Sequence, residues 1–285
     1  MSYLKYAAPS CNLETMKIHD TIKSQIKDLA DQGAIFYISH SGGKDSQTMA
    51  LEIQRLVPAS QLVVIHAHLA EVDWPGIRTH IKATAGHLQY IEVAAGKTFF
   101  EMVEHRRMFP APKYRQCTSD LKRDPINKAI RQDMAAKGAT LAVSLIGIRA
   151  EESTSRARAK TWKLNSRLSK AGRTVYDCLP IHNYLLADVW QTINDAGQQP
   201  HEIYSQGMTR LSCCFCIMAS AQDLTTAARL KPELYRRYCE TEQRLDFTLQ
   251  QGRTLPETTG IKPDGSRTQT RPAAIQAPLF DSGYC

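Results

Sequence analysis

Ser41-Gly42-Gly43-Lys44-Asp45-Ser46 is the stretch whose residue types could do chemistry at closest spacing. It follows an apolar run, Ile35-Phe36-Tyr37-Ile38, and precedes Met49, Ala50, Ile53 and Leu56 at helical spacing. Strand, Gly-Gly turn and helix N-terminus make an anion site: glycines let backbone N–H groups approach phosphate, and the helix end adds partial positive charge. Ser41 and Ser46 offer hydroxyls and Lys44 a point charge. Asp45 is unusual beside an anion, and is expected to orient a backbone group or help hold Mg²⁺. A Walker A loop needs four residues between its first Gly and the Gly-Lys pair, so this is not one; a nucleotide-phosphate site is expected, and the alternative is an ordinary strand-to-helix turn in which Gly-Gly serves only the geometry.

Cys213-Cys214-Phe215-Cys216 is the second constellation. Two thiolates three residues apart can share one metal or cluster, although the same spacing serves redox pairs. Cys117 is the third-ligand candidate, ahead of Cys178 and Cys239. Three thiolates on a cubane would leave one iron open. Zinc stays an alternative, and so does plain burial of small apolar thiols.

Gly147-Ile148-Arg149-Ala150-Glu151-Glu152-Ser153, with Arg156, is the third. It follows an apolar run at 141–146, and open α/β sheets bind ligands at the C-terminal ends of strands. Arg149 and Arg156 could clamp phosphate bidentately. Glu151 or Glu152 could orient an arginine or bind Mg²⁺. The fourth is His66-Ala67-His68 with Glu71 and Asp73; His-x-His at strand spacing puts both rings on one face. No third metal ligand stands out by spacing, so nucleotide contact by His66, or packing, is favoured over a metal pair.

The elements that must position these groups read as follows. Residues 1–13 form an irregular arm and a helix spans about Leu13 to Gln32. Strands are expected at 35–38, Gln61–Leu69, Gln89–Ala94, Leu141–Ile148 and Val175–Ile181. Helices are expected at about Lys44–Leu56, after Trp74-Pro75-Gly76 to Ala85, Thr98–Arg107, Ser119–Lys137, Asp188–Asn194, Ala219–Leu230 and Pro232–Gln250. Residues 149–173 read as an exposed basic loop, and everything beyond Gly252 as a loose tail. The alternation implies a parallel sheet covered on both faces.

At 285 residues the chain can bury a large core, with 42% hydrophobic and 22% charged residues, which is ordinary for a soluble domain. A formal charge of +8 suits a polyanionic partner without choosing among nucleotide, DNA and tRNA. Eight scattered cysteines in a chain this long do not resemble a secreted disulfide framework. With no signal peptide or membrane-spanning run evident, cytoplasm is the expected location.

Taken together, these segments resemble the phosphoadenosine phosphosulfate (PAPS) reductase-like family of the PP-loop N-type ATP pyrophosphatase superfamily, from about Ile35 to Leu245. SGGKDS at 41–46 looks like the PP-loop. Glu71-Val72-Asp73-Trp74-Pro75-Gly76 resembles a stretch of phage-type members. Cys117-Thr118-Ser119-Asp120-Leu121-Lys122 with Pro125-Ile126, Gly147 to Ser153 with Arg156, Pro180-Ile181-His182 with Asp188-Val189-Trp190, Tyr204-x-x-Gly207 and Arg210 to Cys216 follow in the family's order.

The resemblance implies a Rossmann-like (adenine nucleotide alpha hydrolase-like) α/β fold with a helical C-terminal region. Its implied divisions are an arm and helix at 1–34, the PP-loop domain at 35–218, C-terminal helices at 219–251 and a tail at 252–285. An intact PP-loop implies ATP cleavage to AMP and pyrophosphate with adenylation of a substrate, coupled to sulfur transfer as in DNA phosphorothioation and tRNA thiolation enzymes. Gly42, Gly43 and Lys44 would hold the β- and γ-phosphates, with Ser41 and Ser46 donating. Asp45 would help hold Mg²⁺, Gly147 would adjoin the nucleotide, and Arg149 and Arg156 would stabilise the leaving pyrophosphate. Cys117, Cys213 and Cys216 would hold an iron–sulfur cluster of the [4Fe-4S] type, and a protein would supply sulfur or electrons. Thr118 stands where some cluster-bearing reductases carry a second cysteine, and the tail ends in Gly283-Tyr284-Cys285 rather than Glu-Cys-Gly. The alternatives are a sulfonucleotide reductase working through a thiol such as Cys285, and a basic nucleic-acid-binding regulator without catalysis.

Overall fold

The structure is a computed structural model, and it describes residues 17–267. A six-stranded sheet in the order β3-β2-β1-β4-β6-β5 forms its centre. After α1 (Asp20–Asp31), the chain enters β1 (Ile35–Ser39), then α2 (Lys44–Gln54), β2 (Leu62–Ala67), α3 (Ile77–Ala85), β3 (Gln89–Val93) and α4 (Phe99–Arg106). The short α5 (Gln116–Thr118) runs through a π-turn at Ser119–Arg123 into α6 (Asp124–Ala136), which leads to β4 (Leu141–Ile146). Next come α7 (Thr154–Ala157), β5 (Trp162–Leu164), β6 (Thr174–Cys178) and α8 (Leu186–Asp195), and finally α9 (Ala221–Leu230), α10 (Pro232–Leu245) and α11 (Leu255–Thr259).

Five strands are parallel, and only β5 runs antiparallel, on β6 at the edge. β1 is buried on both sides, because successive residues of a strand face opposite layers. Phe36 and Ile38 join Val64, Val143 and Leu145 under α1, α2 and α8. Ile35 and Tyr37 join Val63, Ile65 and Ala142 under Ile130 and Met134 of α6. This explains why β1, β2 and β4 read as continuous apolar runs rather than alternating ones.

The order reverses at β1, which pairs with β2 on one side and β4 on the other. The C-terminal ends of β1 and β4 therefore flank the crevice where open α/β sheets bind ligands. α2 begins directly there, with Gly43 as its N-cap.

Four expectations are corrected. α1 starts at Asp20, because His19 caps it by accepting from Thr21 N at 3.3 Å; residues 17–19 are not helical, and 1–16 lie outside the described residues. The basic stretch 149–173 is not a plain loop: it carries α7 and β5, held to the sheet by Trp162–Leu164 pairing with Tyr176–Cys178. α10 stops at Leu245, where Asp246 turns into the left-handed region (φ 49°). The stretch from Gly252 is not loose as far as residue 267. Thr254 and Glu257 form a capping box for α11, Leu255 is buried, and the buried carboxylate of Glu242 accepts from Leu249 N and Leu255 N, each at 2.8 Å. Residues 268–285, with Cys285, lie outside the described residues.

Candidate functional site

The loop after β1 is shaped by its own side chains. Gly42 has φ +81°, and a Cβ there would sit 3.0 Å from Ile77 Cγ2. The position thus needs glycine for its backbone and is tight in space. Gly42 N donates to His40 Nδ1 at 3.0 Å, Ser41 N to Ser46 Oγ at 3.2 Å, and Ser46 Oγ to Gly43 O at 2.9 Å. Burial, with His80 and His66 adding to it, pushes His40 down to about 3, so the ring stays neutral and Nδ1 can accept.

Lys44 is buried at 4% exposure in the first turn of α2. Its ammonium lies 5.4 Å from the Tyr204 ring centroid and 5.8 Å from that of Trp190, and donates to Thr209 O at 3.4 Å. Its backbone N–H donates to Tyr204 OH at 2.9 Å. Trp190 and Tyr204 meet edge to face at 5.2 Å. An aromatic cradle therefore holds the cation at the helix end, where cation–π attraction offsets part of its desolvation.

Arg149 enters from the end of β4, also buried. Its Nε donates to Asp45 Oδ1 at 2.6 Å and its Nη1 pairs with Glu151. Burial works against this charge, but Asp45 and Glu151 outweigh it and hold the guanidinium above its usual range. Asp45 Oδ2 also lies 3.3 Å from Lys44 Nζ. Asp45 therefore bridges the two cations that line this loop. Gly147 is needed because β4 passes against α2. A Cβ there would meet Asp45 O at 3.1 Å and Ser46 N at 3.2 Å.

Arg156 lies one layer out. Glu152 accepts from Arg149 N at 3.1 Å, pairs with Arg156 Nη1, and lies 3.8 Å from Arg210 Nη2. The carboxylate thus gathers Arg156 and Arg210 beside the loop.

The Cys-rich segment is pinned by Cys214 N donating to Val72 O at 2.8 Å and by Phe215, which packs on Tyr238 (5.0 Å) and Tyr235 (5.7 Å). Cys214 is fully buried, whereas Cys117, Cys213 and Cys216 are half-buried. Burial pushes the Cys213 thiol up to about 12, against the opposing pull of the Lys122 ammonium. Cys117 of α5 and Cys213 both pack, half-buried, against the main core. Cys178 and Cys239 are instead buried in the core, as small apolar side chains.

Residues 35–219 match the phosphoadenosine phosphosulfate reductase domain family. The chain belongs to that family. Among its relatives, an uncharacterized 37.8 kDa protein of Escherichia phage 186 is 30% identical over 148 residues, 52% of this chain and 43% of that protein. An uncharacterized protein of Methanocaldococcus jannaschii is 25% identical over 204 residues, 70% of this chain and 40% of that protein. The chain thus spans less than half the length of either relative. Among solved structures, a PAPS reductase of Candida auris in a phosphate complex aligns with TM-score 0.43 at 13% identity, over 72% of this chain and 98% of that one. The FMN adenylyltransferase of Candida glabrata, with FAD and inorganic pyrophosphate, aligns with TM-score 0.42 at 15% identity, over 70% and 66%.

Within this PAPS reductase-family chain, Ser41, Gly42, Gly43, Lys44, Asp45, Ser46, Gly147 and Arg149 converge on one crevice, with Arg156 at its rim. His66 is close by: its Nδ1 donates to His40 O at 2.9 Å. Sequence reasoning gave no role to Tyr204, Trp190, Thr209 or Lys122. Tyr204 and Trp190 did stand in recognisable boxes, but nothing local ties an aromatic ring to a lysine 146 or 160 residues away. Among the described residues, no helix is long and apolar enough to cross a membrane.

Proposed function

We propose that this chain cleaves ATP to AMP and pyrophosphate, adenylating a substrate in support of sulfur transfer. The observation that carries this is the pairing of Lys44 and Arg149, both buried, through Asp45 at the mouth of the Ser41–Ser46 loop. Two fixed cations beside a helix N-terminus favour a group that develops negative charge there, and they need no reorganisation when it does.

A nucleophilic atom of the acceptor attacks the α-phosphorus. The bond from that phosphorus to the bridging oxygen breaks, its electron pair leaves with pyrophosphate, and the acceptor is left adenylated; AMP leaves afterwards, when a sulfur nucleophile from the donor attacks the acceptor and the acceptor's bond to the adenylate oxygen breaks. Gly42, Gly43 and Lys44 bind the β- and γ-phosphates, and Ser41 and Ser46 donate hydrogen bonds. Asp45 aligns Arg149 and contributes to Mg²⁺ binding. Arg149 and Arg156 offset charge on the leaving group, Gly147 lets β4 approach the nucleotide, and His66 bounds the site.

Cys117, Cys213 and Cys216 suit an iron–sulfur cluster. A single zinc with Zn–S bonds of about 2.3 Å needs sulfurs under about 4 Å apart. Among the described residues, the trio of His, Cys or carboxylate ligand atoms that closes to within 4.8 Å is a different one, His66, His68 and Asp73. The three cysteines are therefore assigned to a cluster rather than to one ion. When bound, a [4Fe-4S] cluster with three cysteine ligands offers an iron free to hold a sulfur species. Lys122 supplies positive charge beside the thiolates. A nucleic acid, DNA or tRNA, is the proposed acceptor, in keeping with the net charge of +8, and a sulfur donor or reductant protein is the proposed partner in the cytoplasm.

Thermal unfolding of anaerobically prepared protein with ATP–Mg²⁺, adenylyl sulfate or phosphoadenylyl sulfate tests this reading. A ligand at about 100 times its Kd adds about 2.7 kcal/mol. Selective stabilisation by ATP–Mg²⁺, lost in Lys44→Ala, is expected, with iron in the purified protein. Selective stabilisation by a sulfonucleotide would replace the reading with a reductase using a thiol such as Cys285. No shift with any of them, with salt-dependent nucleic-acid binding, would replace it with a non-catalytic regulator.

A further inference from the structure

His66 and His68 leave β2 two residues apart, so their rings share one face. The ladder continues past the strand, with His68 N donating to Val93 O at 2.8 Å. The chain then turns back on itself: Val72 N donates to Leu69 O at 2.9 Å and Asp73 N to the same oxygen at 3.0 Å. Asp73 Oδ2 accepts from Leu69 N at 2.7 Å. This turn carries the Asp73 carboxylate back to 3.4 Å from His68 Nδ1. One ligand atom from each of His66, His68 and Asp73 then lies within 4.8 Å of the others.

His66 supplies an independent sign. It is 2% exposed, its Nδ1 is bonded to the His40 carbonyl, and its Nε2 has no partner among the described residues. A buried imidazole nitrogen without a partner is costly. A backbone carbonyl on the other nitrogen is what metal-ligating histidines carry, because it fixes the tautomer and leaves a lone pair for the ion. The trio also opens outward. His68 and Asp73 line a cleft of about 830 Å³ between the β2–α3 turn and the α9–α10 junction, with Glu71, Arg78 and Lys231 around it.

We propose that His66, His68 and Asp73 bind one divalent transition-metal ion on the wall of this cleft. Two imidazoles and one carboxylate suit zinc or ferrous iron better than magnesium, which prefers an all-oxygen shell. Three protein ligands leave at least one coordination position free on the cleft side, for water or an oxygen of a bound molecule. The site is separate from the three cysteines.

Cobalt(II) distinguishes the two sites, because thiolate ligation adds an intense sulfur-to-metal charge-transfer band that imidazole and carboxylate do not. Full-length protein is titrated with Co²⁺ without nucleotide. One equivalent is expected to bind with weak visible bands and no charge-transfer band. Its affinity should fall by at least about 100-fold in His68→Ala, since loss of an outer partner alone costs 10- to 100-fold. Asp73→Asn, which preserves the side-chain shape and an oxygen for Leu69 N–H, should weaken it likewise, and Cys213→Ser should leave it in place. The proposal is overturned if wild type binds no cobalt, if all bound cobalt carries the thiolate band, or if the thiolate-free equivalent survives in both His68→Ala and Asp73→Asn.

Discussion

Arg149 Nε donates to Asp45 Oδ1 at 2.6 Å, joining the end of β4 to the first turn of α2 across 104 residues of chain. Both groups are largely buried, so each compensates the other's desolvation and neither is a free surface charge. Asp45→Asn should lower stability by about 1.5–3 kcal/mol, the range for a hydrogen bond to a charged group, read as a lower urea midpoint at unchanged slope. It should also weaken nucleotide binding, whereas a substitution at exposed Leu164 should do neither.

Gly147→Ala should destabilise the protein by about 1–3 kcal/mol, the cost of overpacking a tight site. The new Cβ would press on backbone atoms of Asp45 and Ser46, which cannot rotate away. Gly96→Ala, where nothing lies within 4 Å of the added Cβ, is the control. Equal thermal midpoints for the two variants would contradict the close approach of β4 to α2.

Tyr204→Phe keeps the ring beside Lys44 but removes the hydroxyl that accepts from Lys44 N. A loss of about 1 kcal/mol is expected. The freed N–H is then available to an anion. Pyrophosphate, titrated calorimetrically, should bind at least as well as to wild type, while Tyr204→Leu, which also removes the ring, should bind it less well.

Phe215→Ala should cost about 3–5 kcal/mol, as large aromatic truncations in cores do. Phe215 is 1% exposed and holds the segment between Cys213 and Cys216 against Tyr235 and Tyr238. Iron per chain after anaerobic purification should fall in the folded fraction. Cys214→Ala, which removes a buried thiol outside the proposed ligand set, should retain it.

Acid should destabilise the protein through His80. Burial, then His201 at 5.3 Å between ring centroids, lowers His80 from 6.5 to about 4. Its folded value lies below its unfolded one, so the unfolded chain binds more protons between them. This contribution is fully present above about pH 6.5 and is lost as pH falls towards 4. Urea unfolding across that window should show a shallower fall in stability for His80→Gln than for wild type. An NMR titration should find the His80 ring neutral at pH 6.

The sequence by itself determined the strand–turn–helix at Ser41–Ser46, the parallel sheet and the family. Those depend on local signals: apolar runs of strand length, Gly-Gly before a helix, and boxes in a fixed order, with β1 and α2 within a few residues of expectation. What only the tertiary structure decided is which distant groups meet. Composition hid α7, β5 and α11, because basic and Gly/Pro-rich stretches read as loop until an edge strand or a capping box gives them a partner. Spacing offered His66 and His68 no third ligand, yet a turn closed on Leu69 O brings Asp73 to them. The same holds for Tyr204 on Lys44 and Arg149 on Asp45, 160 and 104 residues apart. Local patterns encode the strands and helices, but the contacts that neutralise buried charge form between elements, and their partners are set by the order in which strands pair in the sheet.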